Sequence, residues 1–546
     1  YQRIYSLENK LNKKQIVFVL IIISLISFGF KLSVTDFSIP VNLDNLDYAL
    51  NAIAHTHGDY SQSINRGMGW SLFVSTFFNF INSDDFYDYS NTIRLLSMTI
   101  GIISIPMMYL IGRKFFDHRY SLVLASFFAF EPHLNYNSTL GLTEPLFILS
   151  IIGAFYFILN QNSRFIIISL ILAGVAYWIR LNGVWVFIVI SLIYLLTHKK
   201  SWKFIMNYGI AITAFVLIIS PILIERNESF DDPFYSVYKD AVFAGSYESM
   251  LEAIGNNEKI TAFDYIEENG IFSFINNYFI IGSYNVLAVT ASMTLPYLAI
   301  FIPFGILFSL RAFDQKLNFI KSNWIFILTS IALLSFTMAI VPDRRFVLYL
   351  LPFFMIFSVI PLQRMVEYGL STFSFSRKQK DMFLIGVLII ILILSTIVIL
   401  RYVPDSEYEL EKLEFGKFVL NNLDGVTLRD SEGSLEYIQY MLITESFHNH
   451  KINSSIIDNA NTSYEETFAP SGKTIEELLI NGADHNLKYI ISNETPGLLH
   501  PVKDTLYFDY EKYTYLTKIF DSDDSGFNKL KIKVFEINYK KFNDGL

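Results

Sequence analysis

The sequence predicts a polytopic α-helical membrane protein carrying a soluble α/β domain at its C-terminal end. Three observations lead there. First, over 546 residues the chain is 52% hydrophobic and only 17% charged, with a mean hydropathy of +0.38; soluble domains carry about 25% charge. Second, the apolar residues come in blocks of membrane-crossing length, with Lys and Arg clustered at alternate block ends. Third, the composition turns acidic and mixed from Pro404 onward. The expected division is 1–403 for the membrane domain and 404–546 for the soluble one.

The first block, Ile16–Phe30, follows Arg3, Lys10, Lys13 and Lys14, which places the N-terminus in the cytoplasm. It lacks a small-residue cleavage site and reads as a retained helix. Residues 31–91 then form an external loop. This loop holds an amphipathic helix near Asn42–Ala54, a short apolar piece at Trp70–Ile81, and the acidic cluster Asp84, Asp85 and Asp88. Ten further spans follow: Thr92–Ile111, Tyr120–Phe130, Glu144–Leu159, Phe165–Ile179, Val184–Leu196, Phe204–Leu223, Val286–Leu310, Trp324–Val341, Phe346–Leu362 and Met382–Val403. That makes about eleven transmembrane helices, with a long external loop before Gly282 and the C-terminal domain outside. Five Asn-X-Ser/Thr sequons, at Asn137, Asn227, Asn453, Asn461 and Asn493, all fall in segments the charge pattern puts outside.

In the soluble domain Leu413–Leu423 and Thr474–Leu479 read as helices, and Lys488–Ile491 and Lys529–Val534 as strands. Composition also excludes several chemistries. There is no cysteine, so disulfides and thiol catalysis are out. A net charge of −9 argues against a nucleic-acid partner. Walker A, GxGxxG and HExxH patterns are absent.

Charged residues at the outer helix ends carry the functional signal. Asp44 opens the amphipathic helix, with Asp47 and Tyr48 behind it. A helix start favours an anion, so Asp44 serves equally well as a cap and as an ionised base. Glu144 precedes Pro145 at an outer helix start, again ordinary cap chemistry and again at the outer face. Arg94 and Arg345 lie in first turns, where the dipole disfavours a cation. Snorkelling is one explanation, and an anionic ligand such as a lipid phosphate is the other. Arg180 ends its span, where a cation is favoured, and Arg66 sits among Gly67 and Gly69, which permit close backbone approach. His55 and His57 read as surface residues. No metal-ligand set stands out; Asp84, Asp85 and Asp88 have the chemistry for a divalent cation, although a solvated acidic loop is the commoner role.

Taken in order, these residues resemble the integral-membrane GT-C glycosyltransferases. The group most alike holds the dolichyl-phosphate-mannose–protein mannosyltransferases and the bacterial lipid A aminoarabinose transferases. Asp44-Asn-Leu-Asp-Tyr48 is similar to the acidic motif of that group's first external loop, with Asn45 in place of an acid. Arg66–Leu72, Arg94-Leu-Leu-Ser97 with Gly101, Glu144-Pro-Leu-Phe147, Gly174 and Ala176 with Arg180 and Gly183, and Arg345-Phe346 with Pro352 resemble its later motifs. A Pro-Pro-Leu element of the protein mannosyltransferases is missing. The soluble domain has no Trp, unlike the Trp-Trp-Asp motif of oligosaccharyltransferases.

The resemblance implies a GT-C fold and an inverting transfer. A polyprenyl-phosphate-linked sugar would be the donor, and a hydroxyl of a protein, lipid or glycan the acceptor. Asp44 would be the catalytic base, assisted by Glu144. Tyr48, Arg66, Arg94, Arg180 and Arg345 would bind substrate. The rival class is a transporter or flippase, which internal duplication and mid-membrane charges would mark. Neither is found in the sequence.

Overall fold

The computed structural model describes residues 12–41, 43–60, 66–81, 83, 85–160, 162–236, 239, 241–255, 258–294, 298–310, 317–428, 465–467, 472–495 and 501–545. The chain forms two compact units. One comprises residues 1–35, 61–76 and 92–403, the other residues 36–60, 77–91 and 404–546.

The first unit is helical. Its helices up to residue 230 are α1 (Lys13–Ser33), then, after α2 (Leu43–Thr56), α3 (Gly69–Phe78), α4 (Phe86–Phe115), α5 (His118–Phe130), α6 (Pro132–Thr139), α7 (Glu144–Ile158), α8 (Phe165–Ile179), α9 (Val184–Thr197) and α10 (Trp202–Phe230). Helices at Gly282–Thr294, Leu298–Ser309, Leu317–Ile340, Leu351–Arg364 and Arg377–Ile399 follow. Among the described residues six helices are long and apolar enough to cross a membrane, and five shorter apolar helices of 10–17 residues accompany them. Both faces of these helices are apolar. In α1, Ile16, Ile23 and Phe30 are buried while Val17, Phe18 and Leu25 are exposed, as expected where the surroundings are hydrocarbon. Inside, aromatic rings fill the contacts, with Phe326 stacked on Phe353 at 3.6 Å between centroids and Phe155 edge-on to both. This is a membrane protein.

One expected span differs. The helical run before residue 295 begins at Ile271, passes through a π-helical stretch at Ile275–Ile281 and ends at Thr294. The sequence reading placed residues up to about Gly282 in a loop, because Asn276 and Asn277 interrupt the apolar pattern there. The sequons also need revision. Asn137 and Asn493 are 5% and 7% exposed, and a glycan requires a side-chain amide in solvent, so neither bears on orientation. Asn453 and Asn461 lie outside the described residues.

The second unit contains a five-stranded sheet: β1 (Val426–Leu428), β2 (Glu465–Thr467), β3 (Leu487–Asn493), β4 (Leu516–Asp521) and β5 (Ile532–Ile537), in the order β2-β1-β3-β5-β4. The β2-β1-β3 part is parallel and the β3-β5-β4 part antiparallel. Helix Ser406–Asn422 lies on one face, with Phe415 and Val419 against Ile491 and Val534. Helix Ile475–Ala483 packs on the other, with Leu478 and Leu479 against Ile490 and Phe535. The last strand starts at Ile532 and not Lys529, for a reason visible in the hydrogen bonds. The N–H groups of Asn528, Lys529 and Leu530 all donate to the Glu411 carboxylate, at 2.7–2.9 Å, and so leave the ladder. The segments 36–60 and 77–91 join this unit through Ser406 Oγ, which donates to Asp36 Oδ2 at 2.5 Å, and through Val41 N–H, which donates to Ser90 Oγ at 2.9 Å.

Candidate active site

In the helical unit the site is built around the turn Gly141–Glu144, between α6 and α7. Gly141 adopts φ +80°, and the turn lies against the Ile93–Arg94 backbone of α4. Ser97, one turn further along α4, donates from its hydroxyl to Leu142 O at 3.4 Å. Trp70, fully buried, donates from its indole N–H to Gly141 O at 2.9 Å. Pro145 follows at the second helical position, where its missing N–H costs nothing.

Two glycines explain how Trp70 reaches this place. A Cβ on Gly67 would come within 2.5 Å of Trp178 O, and one on Gly69 within 2.7 Å of Trp178 C. The Arg66-Gly67-Met68-Gly69-Trp70 strip therefore runs backbone against backbone along the end of α8, a contact that any larger residue would block. It brings Arg66 to the same turn region as Arg180, which closes α8.

Arg180 donates to Glu144 Oε1 at 2.5 Å, an ion pair whose side chains are 19% and 4% exposed. The guanidinium also lies over the rings of Phe147 and Phe346, 5.8 and 5.9 Å from their centroids. Phe346 follows Arg345, whose Nε donates to Asp343 Oδ2 at 3.0 Å. Arg94 is buried in α4. At this turn Glu144 thus meets Arg180, with the Arg94 backbone against Gly141 and the Phe346 ring beside the guanidinium.

A further cation belongs here that the sequence reading passed over. Lys31, at the end of α1, is 3% exposed. Its ammonium donates to Asn135 Oδ1 at 2.5 Å and to Ser27 Oγ at 3.2 Å, both neutral. It borders a cavity of about 20 Å³ walled by Gly101, Ser138, Pro145 and Ile148, on the opposite side of the α7 start from Phe147. The one available signal was a Lys that directly ends an apolar run, and that pattern also marks an ordinary loop start. The nearby Glu131 is turned to other work: Oε2 accepts the Leu134 N–H at 2.6 Å and Oε1 bonds His133 Nδ1 at 2.9 Å.

Asp44 and Tyr48 belong to the other unit. Helix α2 starts at Leu43, so Asp44 lies within its first turn and not at the cap. Asp44 is half-buried and Tyr48 buried, one helical turn apart on one face. His55 is buried, with Nδ1 bonded to Asp59 O and its ring stacked on Tyr60, which corrects its reading as a surface residue. Of the acidic cluster, Asp85 is exposed, Asp88 is in the first turn of α4, and Asp84 lies outside the described residues. Among the described residues no group of three or more His, Asp or Glu is placed to hold a metal ion.

Comparison with known proteins agrees with this architecture. A family model described as dolichyl-phosphate-mannose-protein mannosyltransferase matches residues 85–224, the stretch from α4 through most of α10. No curated protein matches the chain. Among solved structures, the oligosaccharyltransferase of Archaeoglobus fulgidus in its apo form is similar at a TM-score of 0.57 and 12% identity, covering 89% of this chain and 70% of that one. The archaeal oligosaccharyltransferase AglB from the same organism, in complex with an inhibitory peptide and a dolichol-phosphate, is similar at a TM-score of 0.54 and 13% identity, covering 88% and 69%. ArnT from Cupriavidus metallidurans, bound to undecaprenyl phosphate, is similar at a TM-score of 0.50 and 10% identity, covering 96% and 98%. The chain has the fold of these GT-C glycosyltransferases.

Proposed function

We propose that this GT-C protein is an inverting glycosyltransferase that moves a sugar from a polyprenyl-phosphate carrier to an acceptor hydroxyl at the outer membrane face. The observation that carries this reading is Lys31, an ammonium buried in an apolar unit and bonded to the neutral Ser27 and Asn135, which shares a cavity with Pro145 at the start of α7. Burying charge in such surroundings is costly, and an anion that recurs there in each catalytic cycle offsets the cost. A lipid phosphate has that charge and arrives through the bilayer. The two similar proteins solved with dolichol-phosphate and undecaprenyl phosphate support the same donor class.

In this reading the acceptor oxygen attacks the anomeric carbon while the bond from that carbon to the phosphate oxygen breaks. The electron pair leaves with the polyprenyl phosphate, and the acceptor proton passes to a carboxylate base, the role that the family resemblance gives to Asp44. Arg94, Arg180 and Lys31 stabilise the charge that grows on the departing phosphate, and Arg66 and Arg345 guide it. Tyr48, one turn behind Asp44, is the substrate-binding residue that the same resemblance assigns. Glu144 is already engaged by Arg180, so its role is to hold that guanidinium in place. The proposed orientation has the N-terminus in the cytoplasm and residues 404–546 outside, with 1–403 as the transferase domain.

The test uses the full chain in native membranes with a radiolabelled polyprenyl-phosphate sugar. Label moving to a protein, lipid or glycan hydroxyl supports the enzyme, and Asp44→Asn should reduce transfer at least about 100-fold without lowering the unfolding midpoint. Label that only changes leaflet points instead to a flippase. Near-normal transfer by the Asp44→Asn protein sinks the assignment of the base.

A further inference from the structure

A second cavity lies on the Phe147 side of α7. It measures about 10 Å³ and is walled by Phe147, Trp185, Phe326 and Tyr349, with Asn182 and Ser330 at its polar end. Asn182 stands two residues beyond Arg180, in the 3-10 turn Leu181–Gly183 that leads into α9. Its Oδ1 is buried without a hydrogen-bond partner, whereas the hydroxyl of Ser330, a residue only 1% exposed, is bonded to the Tyr349 hydroxyl.

A buried acceptor left unpaired costs about 1–3 kcal/mol, so an occupant that donates to Asn182 Oδ1 is called for. The dimensions admit one water-sized group and no more. No cation lines the cavity, so an anionic occupant has nothing to balance it. A hydrocarbon tail would leave that oxygen unpaired. A hydroxyl fits: it donates to Asn182 Oδ1 among the aromatic walls. Phe147 is the common wall, since Arg180 lies over the same ring 5.8 Å from its centroid. A group anchored by its phosphate at Arg180 therefore stands beside a ring that walls the cavity.

We infer that this cavity is a specificity subsite for one hydroxyl substituent of the transferred sugar, read by Asn182, while the ring itself stays outside. The inference rests on the glycosyl-transfer reading above. Between turnovers one water occupies the place and is displaced by a group that reproduces its hydrogen bonds.

The experiment compares undecaprenyl-phosphate mannose with its monodeoxy analogues, using the full-length protein in lipid nanodiscs. In the unmodified protein, loss of one particular hydroxyl should lower kcat/KM at least about tenfold, because it strands a buried acceptor. Asn182→Leu, which fills the cavity with apolar atoms, should bring the hydroxylated donor down to the rate of that deoxy donor and leave the deoxy donor's own rate unchanged. Unchanged donor ratios in this variant overturn the subsite and mark the cavity as a water site. An equal loss for every donor likewise overturns it, since that is what a structural role gives. If the unmodified protein transfers from no lipid-linked hexose, the glycosyltransferase reading fails first and takes the subsite with it; that outcome is distinct from transfer with unaltered ratios.

Discussion

Arg180 reaches across 36 residues of chain to donate to Glu144 Oε1 at 2.5 Å, tying the end of α8 to the start of α7. The pair sits where Phe147 and Phe346 exclude water from the guanidinium. Removing one partner should hurt more than removing both. Glu144→Gln leaves Arg180 facing a neutral group and should cost about 2 kcal/mol, below the 3–5 kcal/mol of a fully buried pair because Arg180 keeps some solvent. Glu144→Gln combined with Arg180→Gln should cost less than the sum of the single changes. A thermal-unfolding double-mutant cycle in detergent reads this coupling. Additive losses would mean the two side chains do not interact.

Lys31 invites a sharper separation of stability from function. Ser27 Oγ already donates to Asn135 Oδ1 at 2.8 Å, so Lys31→Met leaves both neutral partners satisfied and deletes a costly buried ammonium. Stability should be unchanged or slightly raised. If the ammonium serves the donor phosphate, KM for the lipid-linked donor should rise about tenfold with kcat less affected. Unchanged donor kinetics would remove Lys31 from the phosphate site.

Gly67→Ala places a methyl group 2.5 Å from Trp178 O, in a backbone that cannot rotate away. Overpacking of this kind costs about 1–3 kcal/mol. Because the displaced strip carries Trp70, bonded to Gly141 O, the change should lower transfer several-fold even at temperatures where the protein stays folded. Gly29→Ala, with open space around the added carbon, is the control and should be silent on both measures.

In the second unit Glu411 offers a pH prediction. Its burial works against the charged form, but the three backbone N–H donors of residues 528–530 outweigh that and hold the carboxyl below its ordinary value. A depressed folded-state pKa contributes stability that is present above the unfolded value near 4.5 and lost as pH falls through the folded one. Limited proteolysis of this unit should therefore accelerate below about pH 4.5 in the unmodified protein. Glu411→Gln should be cleaved faster at pH 7, by an amount equivalent to about 1.5 kcal/mol, with a flatter acid response. An identical acid profile in both proteins would assign the acid sensitivity elsewhere.

The sequence was most readable where one residue's own character decides the outcome. Long apolar runs have no alternative to a helix in hydrocarbon, so α1, α4 and α10 were found readily. Gly67 and Gly69 advertised close approach because glycine has few other uses beside an arginine. What stayed hidden depends on partners distant in the chain. The Glu144 to Arg180 pairing, the Gly141 turn on α4, and the neutral bonds of Lys31 join residues 36–104 positions apart or lie across separate helices. Strands β1, β2 and β4 were missed because segments such as Glu465-Glu-Thr467 carry no alternation of their own and are held by neighbours. The run from Ile271 was misread because Asn276 and Asn277 lower the local hydropathy.

The distance between Glu144 and Arg180 along the chain also sets an order of events during synthesis. At roughly 5–20 residues per second, the ribosome makes Glu144 several seconds before Arg180, since 36 residues separate them. Through that interval the nascent carboxylate, at the first residue of α7, has no guanidinium to face and stays hydrated at the end of its helix. The helical hairpin of α7 and α8 therefore becomes self-sufficient only when Arg180 emerges. A chain arrested between the two residues would leave Glu144 at the bilayer edge, a state that quality-control proteases can recognise.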